Sequence, residues 1–313
     1  MKKGACRVIV LNYNGRDLLA ECLPSIVEAA KAAKHPTGVT VLDNRSKDDS
    51  ETLVREKFPT VAWVESPANR VYFSFNACVA ALEEEFVILL NNDIRVEPGF
   101  VDPLLEALER HEDAFFAAPR SLDWNGAYEG SLSKMEFRRG LLWGSSRFPG
   151  HESKIRREGI TMQCGFGAFR RERFTELGGY DDLYFPGTME DSDLCFRGWR
   201  RGWKGYYCPE SVVHHIGQAT FKKAFGASGI RRMNRRNLYL FVWKNIRDPL
   251  CLAAHALWIP VHLVKYAVKG ETDFLGGFFD ACGLFGRAMD RRRATRGPRV
   301  LTDRRIFETS RSI

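Results

Sequence analysis

The chain has 313 residues, of which 44% are hydrophobic and 27% charged, with 27 glycines and 13 prolines. This composition is typical of a globular protein with a substantial core, and it excludes collagen-like, low-complexity and wholly disordered classes. The eight cysteines form no C-x-x-C pair, so we expect reduced, mostly buried thiols and not zinc ligands or a disulfide framework. The N-terminal segment is not typical of a secretory signal, and we therefore expect a cytoplasmic protein.

The net charge of +8 is unevenly distributed along the chain. Residues 221–313 hold 19 lysines and arginines against 7 acidic residues, whereas residues 1–220 are mildly acidic. A basic segment of this kind indicates an anionic partner: a membrane surface, a nucleic acid or a polyanionic substrate. A solvated basic surface without a partner is the simpler alternative.

The first hundred residues alternate between short apolar runs and segments with helical periodicity. In chain order they predict strands at 6–11, 39–42, 61–64 and 86–90, and helices at 17–33, 50–57 and 75–85. Continuous apolar strands separated by helices indicate a parallel sheet with both faces covered. The predicted fold class is therefore α/β.

Polar side chains follow three of the predicted strands. Asn12 and Asn14 follow the first strand, Asp43 follows the second, and Asn92 and Asp93 follow the fourth. In open parallel sheets, ligands bind at the carboxyl ends of the strands. The sequence contains neither the dinucleotide-binding fingerprint nor a P-loop motif. Amides and carboxylates instead favour a nucleotide held by its base and ribose, with Mg²⁺ or Mn²⁺ bridging a carboxylate to phosphate.

Six motifs together resemble family 2 glycosyltransferases of the rhamnosyltransferase-like branch, over about residues 6–220. They are VIVLNYNG at 8–15, VLDNRS at 41–46, LLNNDI at 89–94, GGYD at 178–181, MEDSDLCFR at 189–197 and PESVVHH at 209–215. The resemblance implies a GT-A fold, with a nucleotide-sugar-binding, mostly parallel sheet flanked by helices. On this basis residues 1–220 form the glycosyltransferase domain, with a donor-nucleotide half at 1–95 and an acceptor half at 96–220, and residues 221–313 form a basic helical extension.

The resemblance also implies where the donor binds. Asp43 would accept hydrogen bonds from the base or ribose of the donor, and the alternative is that it caps a turn or a helix. The donor-binding residues implied in this way are Asn12, Asn14, Asp43, Asn76 and Asn92.

The loop at 69–76 departs from the family pattern, which is Asn-x-Gly-Phe followed by Gly-Asn. Both end asparagines are present, but bulky residues replace the glycines. A glycine permits positive φ angles that a β-branched residue such as Val71 does not readily adopt. We therefore expect a more rigid loop of different shape, and the donor sugar does not follow from the family pattern.

The implied metal ligands are Asp93 and His215. Residues 91–93 occupy the position of the family's D-x-D motif, in which only Asp93 is acidic here, and a bound cation would neutralise the diphosphate leaving group. His215 aligns with the family's H-x-G histidine and would contact the metal or the diphosphate, with the adjacent His214 as the alternative.

Three acids open a predicted helix that begins at Glu190 and ends near residue 201. Acids at a helix start are favoured by the macrodipole alone, but the apolar residues that follow would hold these acids rigidly at the edge of a cleft. The resemblance makes Asp191 the general base, since an inverting sugar transfer needs one carboxylate to deprotonate the acceptor hydroxyl. Glu190 would orient the acceptor or the base, and Asp193 is the rival candidate for the base.

The most apolar stretch of the chain, residues 250–264, lies in the basic extension. A membrane-spanning helix needs about 20 residues, so this stretch is too short to span a bilayer. On a helical projection its polar side chains form one narrow stripe, which predicts either an interfacial helix kinked near Pro260 or a helix packed on the body with one solvated stripe. The stripe consists of His255, His262, Lys265 and Lys269, and the opposite apolar face includes Leu252, Trp258, Ile259, Leu263 and Tyr266.

These features predict an inverting glycosyltransferase at the cytoplasmic face of a membrane. It would use Mg²⁺ or Mn²⁺ to move a sugar from a nucleotide diphosphate donor to a polysaccharide or lipid-linked saccharide acceptor. The extension would hold the enzyme at an anionic membrane surface, with the arginines at 231, 232, 235 and 236 and at 291–293 facing the headgroups. Nucleic-acid binding is not expected, because no recognised motif accompanies the basic residues. A membrane-docked scaffold or regulatory protein without turnover, and a nucleotidyltransferase, are the alternatives.

Overall fold

The computed structural model describes residues 1–217, 219–295 and 297–313. Its first third alternates between strands and helices, as the hydrophobic pattern predicts. These elements are β1 (Lys2–Asn12), α1 (Arg16–Ala32), β2 (Thr37–Asp43), α2 (Ser50–Lys57), β3 (Ala62–Glu65), α3 (Ser74–Ala80), β4 (Glu84–Asn91), β5 (Ile94–Val96) and α4 (Val101–Arg110).

The remaining two thirds contain more strands, followed by helices up to the C-terminus. The strands and helices of the middle third are β6 (Ala114–Asp123), β7 (Tyr128–Gly130), β8 (Lys134–Arg138), β9 (Leu141–Ser145), β10 (Gly159–Ile160), β11 (Gly167–Arg170), α5 (Arg171–Glu176), α6 (Glu190–Arg200) and β12 (Lys204–His215). The last third consists of α7 (Ala219–Asn245), α8 (Pro249–Val268), α9 (Thr272–Gly283), α10 (Phe285–Ala294) and α11 (Asp303–Ser312). Helix α7 is kinked at Gly226, whose backbone is not helical.

One helix is shorter than its sequence pattern predicts. The pattern predicts a helix over 75–85, but α3 ends at Ala80 and β4 already begins at Glu84. Glu84 pairs with Lys2 in the sheet, and its side chain accepts a 2.6 Å hydrogen bond from Arg7. These long-range contacts override the helical propensity of the acidic run.

Ten strands of the described residues form one curled sheet in which parallel pairs dominate. Strand β1 lies between β2 and β4 and is parallel to both, and β2 is parallel to β3. Strand β11 runs antiparallel between β4 and β6, and β6 is parallel to β12. The strand order is β10-β12-β6-β11-β4-β1-β2-β3, with β5 on β12 and β7 on β6. The α/β fold class is therefore confirmed.

The sheet is buried on both faces, as continuous apolar strands require. Successive residues of β1 point to opposite faces, so Val8 and Val10 pack in one core cluster while Ile9 and Leu11 pack in the other. The first cluster lies beneath α1 and α4. The second also contains buried side chains of α6, α7 and α11, so the C-terminal helices share a core with the body. The domain boundaries at 95/96 and 220/221 stay predictions.

The eight thiols are free, and five of them are buried. This agrees with the expectation of reduced, mostly buried cysteines.

Helix α8 packs on the body through its histidines. The Nδ1 of His255 lies 2.6 Å from the carbonyl oxygen of Gly140, and the Nε2 of His262 lies 2.8 Å from that of Arg139. Both histidines are 5% exposed. Gly140 adopts φ 74°, and a Cβ there would lie 2.9 Å from the Cα of His255, so only glycine permits this close approach. The prediction that these two histidines belong to a solvated stripe is wrong.

The outward face of α8 is apolar. The residues predicted to form its membrane face, including Trp258 and Leu263, are half-buried on the body instead. The strongly exposed side chains are Leu250, Leu257, Val261, Val264 and Val268. The sequence pattern could not separate these two faces, because both are apolar around a narrow polar stripe.

Helix α8 is also longer than its most apolar stretch. It has 20 residues and a mean hydropathy of 1.3 over its most apolar segment, so by length and composition alone it is able to cross a membrane. The expectation that the segment is too short to span was therefore wrong, although the packing of its histidines ties one side of the helix to the body.

Candidate active site

Three polar side chains meet at the carboxyl ends of β1, β2 and β4. The Nδ2 of Asn12 donates to Asp43 Oδ1 (2.9 Å), and the Nδ2 of Asn92 donates to Asn12 Oδ1 (2.8 Å). Asn12 and Asp43 are opposite each other in the parallel register, so the register itself creates this contact. Ser46 donates to Asp43 from both its backbone N–H and its hydroxyl. Three of the five predicted donor-binding residues, Asn12, Asp43 and Asn92, are buried in this network.

The turn after β1 closes over this network. A Cβ on Gly15 would lie only 2.0 Å from the side-chain nitrogen of Asn92, so a glycine is required here. Asn14, which adopts φ 47°, donates its backbone N–H to the Ser46 hydroxyl and accepts from the N–H of Lys47. Asn14 thus joins the β1 and β2 turns, and its amide oxygen already has a partner.

Asn76 lies apart from the other predicted donor residues. Its Nδ2 donates to the carbonyl of Tyr180 (2.8 Å), and its Oδ1 accepts from the N–H of Tyr180 (2.9 Å). Both ends of its amide are therefore occupied by the loop that follows α5, and its side chain fixes the 69–76 loop against that loop.

One residue of the 69–76 loop has a left-handed backbone conformation although it is not a glycine. Val71 adopts φ 52°, its N–H donates to the side chain of Asn69, and its carbonyl accepts from Asn44. The expectation that Val71 would not adopt a positive φ was wrong, because these two hydrogen bonds hold a conformation that costs about 1–3 kcal/mol. The next residue, Tyr72, approaches the acidic groups. Burial raises the pKa of its hydroxyl, and the charges of Glu190, Asp93 and Asp191 raise it further.

A second group of interacting side chains consists of Asp93, His215 and Glu129. The Nε2 of His215 lies 3.6 Å from Asp93 Oδ2, and its Nδ1 lies 3.0 Å from a carboxylate oxygen of Glu129. Strand β12 brings them together, because it pairs His215 with Ile94, the residue after Asp93. The adjacent His214 points elsewhere and bonds to Glu97 (2.9 Å).

The electrostatics of this group reflect its burial. Burial raises the pKa of Asp93, with the charge of His215 opposing the shift. Burial alone would lower the pKa of His215, but its hydrogen bond to Glu129 and the charge of Asp93 outweigh burial and raise the pKa.

Asp93 and His215 fit a divalent cation that also binds phosphate. The Oδ1 of Asp93 is buried and has no hydrogen-bond partner among the described atoms, so this carboxylate keeps an unused acceptor. The described residues contain no group of three or more His, Cys, Asp or Glu side chains placed to hold a metal. Mg²⁺ and Mn²⁺ commonly take one or two protein ligands and complete their shell with substrate phosphates and water. The pair therefore suits a cation that arrives with its nucleotide.

A strained backbone turn precedes α6 and positions the two acids at the start of that helix. Thr188 and Met189 both have positive φ, and Asn237 of α7 holds this turn by donating to the carbonyls of Gly187 and Thr188. Positive φ at residues other than glycine is costly and concentrates at functional sites. The turn places Glu190 and Asp191 at the N-terminus of the helix.

Glu190 and Asp191 occupy different environments. Burial, together with the charge of Asp191, raises the pKa of Glu190 to about 8, and its Oε2 is buried without a partner among the described atoms. Asp191 accepts a 2.6 Å hydrogen bond from the Ser192 N–H on one oxygen, and burial raises its pKa as well. Asp191 lines a cleft of about 230 Å³ that His215 and Glu129 also line. The cleft is therefore lined by one candidate base and by one candidate metal ligand, His215, which in turn contacts Asp93.

Asp193 is engaged in a buried ion-pair network. It accepts hydrogen bonds from Lys244, Arg197, Asn245 and Tyr184, and its side chain is fully buried. Burial would raise its pKa, but the charges of Lys244 and Arg197 hold that pKa well below the usual range. With its oxygens taken up in this way, Asp193 joins α6 to α7 and is not a lining residue of the cleft around Asp191.

Sequence reasoning missed Glu129, Tyr72 and Asn237. Glu129 had a detectable signal, because Asn125-Gly126 is a strong hairpin dipeptide and predicts that the segment folds back on β6. Tyr72 and Asn237 had none, since each reaches the site through tertiary packing.

Amides and carboxylates lie at the carboxyl ends of the strands, and the acids Glu190 and Asp191 begin α6. This arrangement suits a nucleotide-dependent transferase. Comparison with known proteins identifies the class. The model of glycosyl transferase family 2 matches residues 7–178. The chain belongs to this family, and its fold is of the GT-A type.

Curated relatives in this family are rhamnosyltransferases. N-acetylglucosaminyl-diphospho-decaprenol L-rhamnosyltransferase from Mycobacterium tuberculosis is 28% identical over 239 residues, covering 68% of this chain and 76% of that protein. O-antigen chain rhamnosyltransferase RfbN from Salmonella typhimurium is 24% identical over 237 residues, covering 70% and 68%. Among solved structures, the mannosyltransferase PcManGT from Pyrobaculum calidifontis in complex with GDP-Man and Mn²⁺ is 17% identical, with a TM-score of 0.51 over 98% of this chain and 86% of that one.

Proposed function

We propose that this enzyme transfers a sugar, with inversion, from a nucleotide diphosphate donor to a polysaccharide or lipid-linked saccharide acceptor. The observation that supports this most strongly is the cleft that Asp191 and His215 line together, with Asp93 lying 3.6 Å from the ring of His215. The names of the two curated relatives favour rhamnose as the sugar. The name of the mycobacterial relative favours an acceptor linked to a lipid through a diphosphate.

Asp191 acts as the base in this proposal. The Ser192 N–H occupies one carboxylate oxygen, which leaves the other to accept the proton of the acceptor hydroxyl. The deprotonated hydroxyl then attacks the anomeric carbon opposite the diphosphate, so the configuration inverts. Glu190, with a pKa of about 8, is protonated at neutral pH and adds no second negative charge beside the base.

Asp93 and His215 would hold Mg²⁺ or Mn²⁺, and the bound ion would neutralise the diphosphate leaving group. Glu129 fixes the ring of His215 so that Nε2 faces Asp93. Asn12, Asp43 and Asn92 would bind the base or ribose at the strand ends. Asn76 would position the 69–76 loop without touching the donor.

The identity of the released nucleotide tests the proposal. The purified chain is incubated with a nucleoside diphosphate rhamnose, Mn²⁺ and a lipid-linked saccharide acceptor, and the products are separated. We expect a nucleoside diphosphate and a glycosylated acceptor. Release of pyrophosphate would identify a nucleotidyltransferase, and nucleotide binding without turnover would identify a scaffold. Either result would contradict the proposal.

We also propose that α8 docks on a lipid surface at the cytoplasmic face of a membrane. Its exposed residues Leu257, Val261 and Val264 form an apolar stripe, and Lys265 and Lys269 follow at its C-terminal end. An apolar stripe flanked by cations suits an interfacial helix. The arginines contribute less than their number implies, because Arg231 and Arg232 pair with Asp273 and Asp280 of α9.

A further inference from the structure

A second cavity, of about 760 Å³, lies away from the cleft around Asp191. Its walls come from the loop at 178–182, the C-terminal half of α6, the end of α7 and the segment after α10. Among the described residues, the cavity and the cleft share no lining side chain. The catalytic proposal therefore makes no use of this cavity.

The cavity is strongly basic. Eight of its lining residues are lysine or arginine, and three are aspartate or glutamate. Six of these cations pair with carboxylates, among them Arg200 with the buried Asp303 and Lys244 with Asp181 and Asp193; the other four are Arg70, Arg197, Arg201 and Arg291. The remaining positive charge lies on Arg247, which is half-buried and therefore less screened by water, and on Arg299, which is exposed.

Two arginines of the cavity have no carboxylate partner. The side chain of Arg247 donates to the carbonyl of Arg292 (2.6 Å), and Arg299 makes no side-chain hydrogen bond or ion pair with any residue that the structure describes. The nearby carboxylate of Asp303 is already occupied, because it accepts from Arg200 and from the backbone N–H groups of Arg247 and Asp248. Burial and the charges of neighbouring arginines lower the pKa of Arg247 to about 10.

We propose that this cavity binds a phosphate-bearing anion between the guanidinium groups of Arg247 and Arg299. The planar fork of a guanidinium matches the oxygens of a phosphate in a bidentate geometry, and one phosphate offers acceptors to more than one arginine. Arg200 and Lys244, each already paired with a carboxylate, are buried lining residues of the same cavity. The volume exceeds that of a single phosphate, so a diphosphate or the phosphate of a larger molecule fits. The source is either a soluble phosphate or a lipid headgroup.

The test is direct binding to the full chain without donor or metal. Pyrophosphate is titrated calorimetrically in one arm, and in the other the protein is sedimented with phosphatidylcholine vesicles with and without phosphatidic acid. We expect binding in at least one arm, with Arg247→Gln and Arg299→Gln each weakening it about tenfold or more, the effect of losing one charge-assisted hydrogen-bond pair. Arg299→Gln is the decisive variant, because this exposed residue has no partner whose loss would unfold the protein.

Arg293→Gln is the matched control. Arg293 lies on α10, is 79% exposed and pairs with Asp290. It is not a lining residue of the cavity, so its loss should leave binding unchanged. Binding to pyrophosphate identifies a soluble ligand, and binding only to vesicles with phosphatidic acid identifies a headgroup. No binding in either arm, or equal weakening by Arg293→Gln and Arg299→Gln, would overturn the proposal.

Discussion

Asp191 and its neighbour Glu190 have adjacent carboxyl groups, and burial raises the pKa of both. Replacing Asp191 by Asn removes the proton acceptor and keeps the Ser192 N–H in contact with a side-chain oxygen. We expect kcat to fall by about 10²–10⁴, with nearly unchanged donor affinity. Steady-state kinetics with Asp17→Asn, an exposed aspartate of α1, as the control will measure this. Near-normal turnover would move the role of base away from Asp191.

Asp93 should affect nucleotide binding only through the metal. In Asp93→Ala we expect Mn²⁺ to lose most of its effect on the affinity for a nucleoside diphosphate, whereas metal-free binding of the nucleoside stays the same. The reason is that the proposed contacts with the base and ribose are made by Asn12 and Asp43, at the ends of β1 and β2. Calorimetric titrations with and without Mn²⁺ will measure both quantities. Equal Mn²⁺ dependence in variant and wild type would exclude Asp93 as a ligand.

Glu190 should make the stability of the protein depend on pH. Its pKa is about 8 in the folded protein against a usual value of 4.5. Between these values the folded state keeps a proton that the unfolded state releases. The contribution of Glu190 to the free energy of unfolding therefore falls as the pH rises, by up to about 1.4 kcal/mol per pH unit, and levels off above pH 8.

Glu190→Gln should remove this slope and raise stability most at alkaline pH. Urea denaturation across this pH range, in the absence of metal and nucleotide, will measure the effect. Glu28→Gln, at an exposed position of α1, is the control and should keep the slope of the wild type. If the Glu190 variant keeps that slope too, the buried acid is already ionised in the folded protein.

At the scale of single elements, α8 gives the sharpest test. Leu257 and Val264 point outward, whereas Trp258 and Leu263 lie half-buried on the body. We expect Leu257→Glu with Val264→Glu to abolish binding to lipid vesicles without lowering the thermal stability. The matched pair Trp258→Glu with Leu263→Glu should instead destabilise the protein. Vesicle cosedimentation and thermal unfolding will compare the two pairs.

The salt dependence of vesicle binding separates the electrostatic from the hydrophobic contribution to docking. Since many arginines of the extension are paired within the chain, we expect vesicle binding of the wild type to persist largely at high salt, where screening shortens to about 3 Å at 1 M. Retained binding of the Leu257 and Val264 double variant would contradict docking through this face.

Four of the ten strands of the sheet, β1 to β4, were predicted because each carries its own signal. Residues 8–11 of β1 and 86–90 of β4 are apolar without interruption, and polar groups at Asn12 and Asn92 follow them. The orientation of α8 was not predictable, because its histidines contact carbonyls more than a hundred residues away. The roles of Glu129 and Asn237 depend on tertiary contacts in the same way.

At the scale of the whole molecule, the basic extension is part of the folded body. Asp303 of α11 accepts hydrogen bonds from Arg200 of α6 and from the backbone between α7 and α8. The hydroxyl of Ser310 accepts from the backbone of Met135 in β8. The extension is therefore not a separate anion-binding tail, and four of its cations, Lys244, Arg247, Arg291 and Arg299, line the basic cavity together with four from residues 1–220.

The central claim is that the strand ends, Asp93, His215 and Asp191 form one catalytic cleft. A crystal structure with a nucleoside diphosphate and Mn²⁺ tests this claim most directly. We predict the base or ribose at Asn12 and Asp43, the ion between Asp93 and the Nε2 of His215, and the diphosphate facing Asp191. A nucleotide that leaves the strand ends empty, or an ion that does not contact Asp93, would contradict the account.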